Sequence, residues 1–254
     1  MTTPTSLADR LCSVRERIAA ACGRAKRDPK SVTLIAVTKS AAPDAIREIL
    51  RLGVIDLAEN RVQQLTQRAS QFAEQAQRRK TTGEAAIAPR WHMLGHLQRN
   101  KVKPLLPLVH CIHSVDSLRS AEEIDAAAAR LNRKVPVMLQ VNASEEPQKS
   151  GVAVGAAYHL GEQMADMPNL QLAGLMTMAE HTGDEAVIRS AFRRTREIFE
   201  EMKWQKIGGA GFEHLSMGMS NDFELAVEEG STMVRIGSEL FGLPGETAES
   251  DESA

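Results

Sequence analysis

Aromatic side chains are scarce in this sequence, which has one tyrosine, two tryptophans and six phenylalanines in 254 residues. Aliphatic side chains must therefore fill most of the core, because hydrophobic residues still make up 43% of the chain. No apolar run approaches the roughly 20 residues that a membrane span needs. The opening segment MTTPTSLADR has no basic stretch followed by an apolar one, so we expect no signal peptide.

Cysteine and net charge are limited as well. The three cysteines, Cys12, Cys22 and Cys111, are few and odd in number, which is typical of free thiols in a reducing compartment. The formal net charge of -2 argues against a broad basic surface. We therefore expect a cytoplasmic globular protein with neither a nucleic acid nor a membrane as its partner.

Eight short strand-like runs alternate with helical patterns along the chain. The runs cover residues 33–38, 54–59, 91–95, 111–115, 135–141, 170–178, 212–217 and 232–237. An amphipathic helix precedes them, and Ser6 and Asp9 at its start have the spacing of a capping box. Glycine, proline and polar residues separate the segments, and TTGEAAIAP at 81–89 is the one long predicted loop.

Eight strand–helix units in roughly 250 residues match the size of a (β/α)₈ barrel. A doubly wound sheet of similar length has the same periodicity, which cannot show whether a sheet closes. We predict α/β structure in a single TIM-type (β/α)₈ barrel with an extra N-terminal helix, covering residues 1–243. The polar, acidic segment at 244–254 is predicted to be a disordered tail.

Glycine and serine occur together where the last two predicted strands end. The segments SMGMSND (216–222) and RIGSE (235–239) each lead towards a helix start. Barrels commonly bind phosphate at this place through backbone N–H groups. We predict a phosphate site there, with hydroxyl groups from Ser216, Ser220 and Ser238 and close approach allowed by Gly218 and Gly237.

The first predicted strand ends in Lys39, although an ammonium group is costly to bring near a core. In a closed barrel the first strand neighbours the eighth, so Lys39 would lie beside the phosphate site. A partly desolvated lysine is a nucleophile towards aldehydes, which favours a phosphorylated aldehyde such as pyridoxal 5′-phosphate (PLP). Two simpler interpretations stay open: Lys39 is a surface charge, or it is the counter-ion of Glu59.

Several stretches of the chain are typical of one family. They are AVTKS (36–40), AEN (58–60), WHMLGHLQRNK (91–101), HSVDS (113–117), KSGV (149–152), LAGLMTM (172–178) and HLSMGMSNDFELAVEEGSTMVRIGSELFG (214–242). On these residues the chain resembles the pyridoxal phosphate homeostasis protein family, relatives of the alanine racemase N-terminal barrel. One residue departs from the pattern, because Ala58 stands where the family usually has glycine.

The resemblance implies a barrel that holds PLP without the β-rich second domain of the racemase. It implies that Lys39 forms the Schiff base, that Asn60 lies near the ring, and that Arg235 lies near the pyridine nitrogen. Ser216, Ser220 and Gly237 are implied near the phosphate. The full predicted cofactor-binding set is Lys39, Asn60, Ser216, Met217, Ser220, Arg235, Gly237 and Ser238.

No metal site and no catalytic residue is predicted. The segment HCIH at 110–113 offers three potential ligands, but alternation along a strand sends neighbouring side chains to opposite faces. A metal site closed by this segment alone is therefore not expected.

Three functions fit these features. The first is a PLP carrier in intracellular PLP homeostasis, more a binding protein than an enzyme, which can exchange with free amino acids and pass PLP to apoenzymes. The second is a PLP-dependent amino-acid racemase of narrow or weak activity, and the third is a cofactor-free barrel enzyme acting on a sugar phosphate.

The carrier is favoured because a cationic Arg235 disfavours the protonated ring that strengthens an electron sink. The chain also ends soon after its eighth predicted strand, so the racemase domain that brings an opposing tyrosine is expected to be absent. For the same reason we expect a monomer.

Overall fold

A computed structural model describes residues 6–81, 87–146 and 149–242 of the chain. The predicted acidic tail at 244–254 and residues 82–86 of the predicted loop lie outside these residues. Across the described part of the chain, no helix has both the length and the apolar character for crossing a membrane. All three cysteines are free, as the sequence predicts.

The strands form one closed parallel barrel. They are β1 (Thr33–Val37), β2 (Asp56–Glu59), β3 (Arg90–Met93), β4 (Cys111–Val115), β5 (Val135–Asn142), β6 (Val152–Ala153), β7 (Leu170–Met176), β8 (His214–Met219) and β9 (Met233–Ile236). The barrel order is β1–β2–β3–β4–β5–β7–β8–β9, and β9 pairs with β1 to close it. The two-residue β6 pairs with the end of β5. The TIM-type (β/α)₈ fold is confirmed, and the doubly wound alternative is excluded.

Helices surround the barrel and connect its strands. They are α1 (Leu7–Arg24), α2 (Pro43–Arg51), α3 (Val62–Thr81), α4 (Val102–Leu105), α5 (Leu118–Arg130), α6 (Ala157–Ala165), α7 (Glu185–Trp204), α8 (Phe223–Glu228) and α9 (Ser238–Phe241). The predicted N-terminal helix is α1, and the Ser6–Asp9 capping box is present. Arg10 Nε of α1 donates to the Leu240 carbonyl at 2.7 Å, which fastens this extra helix beside the end of β9.

Side chains on the barrel strands divide between two apolar clusters. Alternate residues of a strand point to opposite faces, so β1 sends Ile35 and Val37 into the barrel and Ala36 towards the helices. The interior cluster also contains Ala58, Cys111, Met138, Met176 and Met233. This inward series fixes which residues at the strand ends face the mouth of the barrel.

Candidate functional site

Lys39 lies at the mouth of the barrel, in the turn that follows β1. The backbone N–H of Thr38 donates to the Ala58 carbonyl at 2.9 Å, so pairing with β2 continues beyond the end of β1. Lys39 comes two residues after the inward-facing Val37, within this turn. Its side chain is exposed and makes no hydrogen bond or ion pair with any residue the structure describes. The mouth therefore carries an unengaged amine.

A buried carboxylate holds the turn that carries Lys39. Glu59 is 0% exposed, and its Oε1 accepts from Thr38 Oγ1 at 2.6 Å and from Arg68 Nη1 at 2.5 Å. Arg68 also donates to the carbonyls of Thr38 and Ala41, on either side of Lys39. Burial raises the pKa of Glu59, against the lowering effect of Thr38 and Arg68. Glu59 thus has Arg68 as its counter-ion, and the counter-ion interpretation of Lys39 is wrong.

Replacing Arg68 with methionine is expected to destabilise the fold by about 3–5 kcal/mol, because it leaves the Glu59 carboxylate buried without its charged partner. Arg47→Met is the control, since Arg47 pairs with Asp44, whose side chain is 95% exposed, and such a pair contributes at most about 1 kcal/mol. Urea unfolding of both variants gives the comparison. Equal losses would show that the Glu59–Arg68 contact does not hold the turn.

The ends of β8 and β9 come together as the sequence predicts. The Gly237 N–H donates to Ser220 Oγ at 3.3 Å, which joins the two Gly/Ser segments. Gly218 has φ +89°, and a Cβ there would lie 2.6 Å from the Ala226 Cβ, so this position requires glycine. A Cβ on Gly237 would lie 3.3 Å from the Val37 carbonyl oxygen. The end of β9 therefore packs against the end of β1, next to the Lys39 turn.

The start of α9 adds two free donors to this place. No residue described in the structure accepts a hydrogen bond from the backbone N–H of Ser238 or of Glu239. Ser220 and Ser238 supply hydroxyl groups within the same two segments. A phosphate group, with its several acceptor oxygens, fits such a set of N–H and O–H donors.

Arg235 and Ser216 lie deeper, inside the barrel. Arg235 is 4% exposed, and its Nη1 donates to Ser216 Oγ at 2.6 Å while its Nη2 donates to the Thr177 carbonyl at 2.9 Å. Burial lowers the pKa of Arg235 to about 10, with Asp222 opposing the shift. The Ser216 hydroxyl is fully buried and engaged here. Met217 points its side chain into the outer core, and its carbonyl oxygen accepts from Ser231 Oγ at 2.8 Å.

Asn60 lies at the mouth with an exposed side chain, two residues beyond the inward-facing Ala58. A Cβ on Gly95 would come within 1.9 Å of the Asn60 carbonyl oxygen, so the chain after β3 packs directly on Asn60. Ser114 Oγ donates to the Gly95 carbonyl at 2.6 Å. Ala58, at the family's usual glycine position, keeps regular pairing with Val37 and His92.

A cluster of polar side chains in the middle of the barrel was not predicted from the sequence. Asp56, His92 and His113 are buried there and are joined to Ser216 by hydrogen bonds. Their spacing along the strands could have indicated this placement. Asp56 lies two residues before the inward-facing Ala58, and His113 lies two residues after the inward-facing Cys111.

Potential metal ligands also meet in the interior, across two strands rather than within one segment. Ligand atoms of His92, Cys111 and His113 all lie within 4.8 Å of one another. Both ring nitrogens of each histidine are already in hydrogen bonds, however, and burial raises the pKa of Cys111 to about 12. The two histidines of this cluster therefore have no ring nitrogen left for a metal ion in the structure.

The (β/α)₈ fold with these residues at its mouth matches known proteins over nearly the whole chain. Residues 5–244 match the family model for the alanine racemase N-terminal domain. The pyridoxal phosphate homeostasis protein of Aquifex aeolicus is 37% identical over 92% of this chain and 96% of its own length. The protein of the same name from Pseudomonas aeruginosa is 35% identical over 94% and 96%.

A solved structure extends the comparison. PipY of Synechococcus elongatus PCC7942, described as having PLP bound, is 34% identical over 93% of this chain and all of its own, with a TM-score of 0.75. The chain belongs to the pyridoxal phosphate homeostasis protein family.

Proposed function

We propose that this protein binds PLP at the mouth of its barrel and takes part in intracellular PLP homeostasis, without vigorous catalysis. The observation that carries the proposal is the placement of an exposed, unengaged Lys39 in the turn at the mouth, beside the joined Gly/Ser ends of β8 and β9. An amine and a phosphate cradle at adjacent strand ends suit a phosphorylated aldehyde. The names of the relatives and the PLP in the PipY structure support the same ligand.

Each predicted site residue has a role in this proposal. Lys39 supplies the amine for a Schiff base, and Ser220 and Ser238 supply hydroxyl and backbone donors to the phosphate. Gly237 holds Ser220 through its N–H and allows the phosphate to approach closely. Asn60 lies beside the ring, and Arg235 donates a hydrogen bond to the ring nitrogen. Two further residues support these contacts: Ser216 by binding Arg235, and Met217 through its backbone.

The carrier role is favoured over rapid amino-acid chemistry by the character of Arg235. When bound, PLP supplies a reactive aldehyde and a ring that withdraws electrons most strongly when its nitrogen is protonated. Arg235 is a buried hydrogen-bond donor that does not accept a proton, so it favours the unprotonated ring. We propose a cytoplasmic monomer that exchanges slowly with free amino acids and passes PLP to apoenzymes.

A racemase of narrow or weak activity is the second candidate. It is favoured by the match to the alanine racemase N-terminal domain over nearly the whole chain. Turnover with free amino acids separates it from the carrier. Incubation of the PLP-loaded protein with an added PLP-dependent apoenzyme tests the carrier: activation faster than by the same concentration of free PLP supports transfer, and no activation contradicts it.

Replacing Ser220 with alanine is expected to weaken binding of PLP by about 1–3 kcal/mol, the usual range for a hydrogen bond to a charged group. Pyridoxal, which lacks the phosphate, should lose much less affinity. Binding titrations of both ligands measure the difference. Ser114→Ala is the control. The Ser114 hydroxyl donates to the Gly95 carbonyl, and both residues lie on the β3–β4 side of the barrel, away from the ends of β8 and β9. Equal weakening of PLP and pyridoxal by Ser220→Ala would show that Ser220 acts elsewhere.

A further inference from the structure

A line of hydrogen bonds crosses the barrel interior and ends at Arg235. Asp56 Oδ1 and His92 Nε2 are 3.0 Å apart, and His92 Nδ1 and His113 Nε2 are 2.9 Å apart. His113 Nδ1 lies 2.9 Å from Ser216 Oγ, which accepts from Arg235 Nη1 at 2.6 Å. We call these residues, Asp56, His92, His113, Ser216 and Arg235, the interior chain. All five are buried, with exposures between 0% and 6%.

When Asp56 is ionised and both imidazole rings are neutral, one direction along the interior chain pairs every ring nitrogen. Arginine can only donate, so Ser216 accepts from Arg235 and has its own proton free for His113 Nδ1. His113 then carries its proton on Nε2 and donates to His92 Nδ1. His92 in turn donates from Nε2 to the Asp56 carboxylate. Every imidazole nitrogen is used once, as one donor and one acceptor in each neutral ring.

The charge states agree with this direction. Burial is the main reason that the pKa of His113 lies well below its ordinary value, so the ring is neutral. Although burial opposes it, the hydrogen bonds from His92 and Arg90 hold the pKa of Asp56 below its ordinary value. Arg90 Nη2 lies 2.5 Å from Asp56 Oδ2 and is the charged partner at the far end. Asp56 is therefore the anion that sets the direction.

Stability alone does not account for such a chain. A barrel interior can be filled with aliphatic side chains, as the neighbouring Ile35, Met138 and Met176 show. Buried polar groups cost free energy unless every one is paired, and the net gain from each bond is only about 1 kcal/mol. The interior chain instead fixes one group in place: Ser216 accepts from Arg235, and in this direction His113 accepts the Ser216 proton and so fixes the orientation of that hydroxyl.

We propose that Asp56, His92 and His113 are positioning residues, which act through Ser216 to hold the Arg235 guanidinium as a fixed donor to the ring nitrogen of bound PLP. This inference rests on the proposed function. It predicts that the protein's preference for a ligand with a ring nitrogen depends on residues that do not touch the ligand.

The test compares PLP with its 1-deaza analogue, in which a C–H group replaces the ring nitrogen. Equilibrium binding to the full chain is measured for both ligands. The unsubstituted protein should prefer PLP by about 10- to 100-fold, the range for a hydrogen bond from a charged donor. His113→Leu removes the acceptor for Ser216 at similar volume and should reduce the preference to less than about threefold. Cys111→Ala changes the same interior face of β4 outside the interior chain and should keep the full preference.

A second pair of variants keeps the test decisive if His113→Leu does not fold. Asp56→Asn and Asp56→Ala both remove the anion that sets the direction of the interior chain, and both should reduce the preference. A purely structural role would weaken PLP and the analogue equally and leave their ratio unchanged, and that result would overturn the inference. Equal binding of both ligands by the unsubstituted protein would also overturn it while leaving PLP binding intact. Failure of both ligands to bind would instead contradict the proposed function.

Discussion

A Lys39→Ala variant is expected to lose the Schiff-base absorption band of the PLP-loaded protein completely. The band requires an amine within reach of the aldehyde, and Lys39 is the exposed lysine in the turn that follows β1. Residual PLP should still bind through the phosphate site, without the covalent bond. Absorbance spectra of the reconstituted variant, with bound PLP measured separately, check this expectation.

Lys149→Ala is the matched control, since Lys149 also lies near the mouth. Its Nζ donates to the Ala179 carbonyl at 3.0 Å and pairs with Glu146, so it joins two loops rather than offering an unengaged amine. The control should keep the full absorption band. A Lys39→Ala protein with an unchanged spectrum, or a Lys149→Ala protein without the band, would contradict the assignment of Lys39.

Exchange of the Cα proton of amino acids is expected to be slow, at least about 10²–10⁴-fold below the median enzyme turnover of about 10 s⁻¹. Arg235 favours the unprotonated ring, which weakens electron withdrawal. The chain's one tyrosine, Tyr158, is held on the outer helices, where its hydroxyl donates to Glu201 Oε2 at 2.6 Å. It is therefore not placed as an acid–base group opposite Lys39.

Deuterium incorporation into a panel of amino acids in D₂O measures this exchange. The same assay with Lys39→Ala gives the background, because that variant lacks the amine that amino acids displace. Exchange of any amino acid at rates near 10 s⁻¹ would defeat the carrier proposal in favour of a racemase or a related enzyme. Slow exchange combined with transfer of PLP to an apoenzyme would support the carrier.

The fold could be predicted because its signals are local. The capping box at Ser6 and Asp9 predicted the start of α1. The β-branched runs predicted the ends of the eight barrel strands to within about two residues. Closure of the barrel depended on the resemblance and on length, since periodicity carries no information on whether β1 meets β9. The two-residue β6 was missed because a pairing of that length leaves no periodic pattern.

The residues of the candidate site also differ in whether a local sequence signal marks them. The positions of Lys39 and the Gly/Ser segments at the barrel mouth could be predicted because each is a local pattern at a strand end. The interior chain was missed because His92 and His113 meet only through the register of β3 with β4, which sequence alone does not supply. Ser216 was predicted as a phosphate donor from its neighbours in sequence, and its buried hydroxyl instead binds His113 and Arg235 in the structure. In the proposed cofactor site, Ser216 would therefore act through Arg235.

Lys39 is expected to hold PLP at the mouth of the barrel. Reduction of the PLP-loaded full chain with borohydride, followed by proteolysis and mass spectrometry, tests this claim most directly. Borohydride converts the Schiff base to a stable amine and so marks the lysine that formed it. The reduced protein is expected to carry about one pyridoxyl group per chain, on the peptide that contains Lys39. A stoichiometric label on another lysine, or bound PLP that leaves no label after reduction, would contradict it.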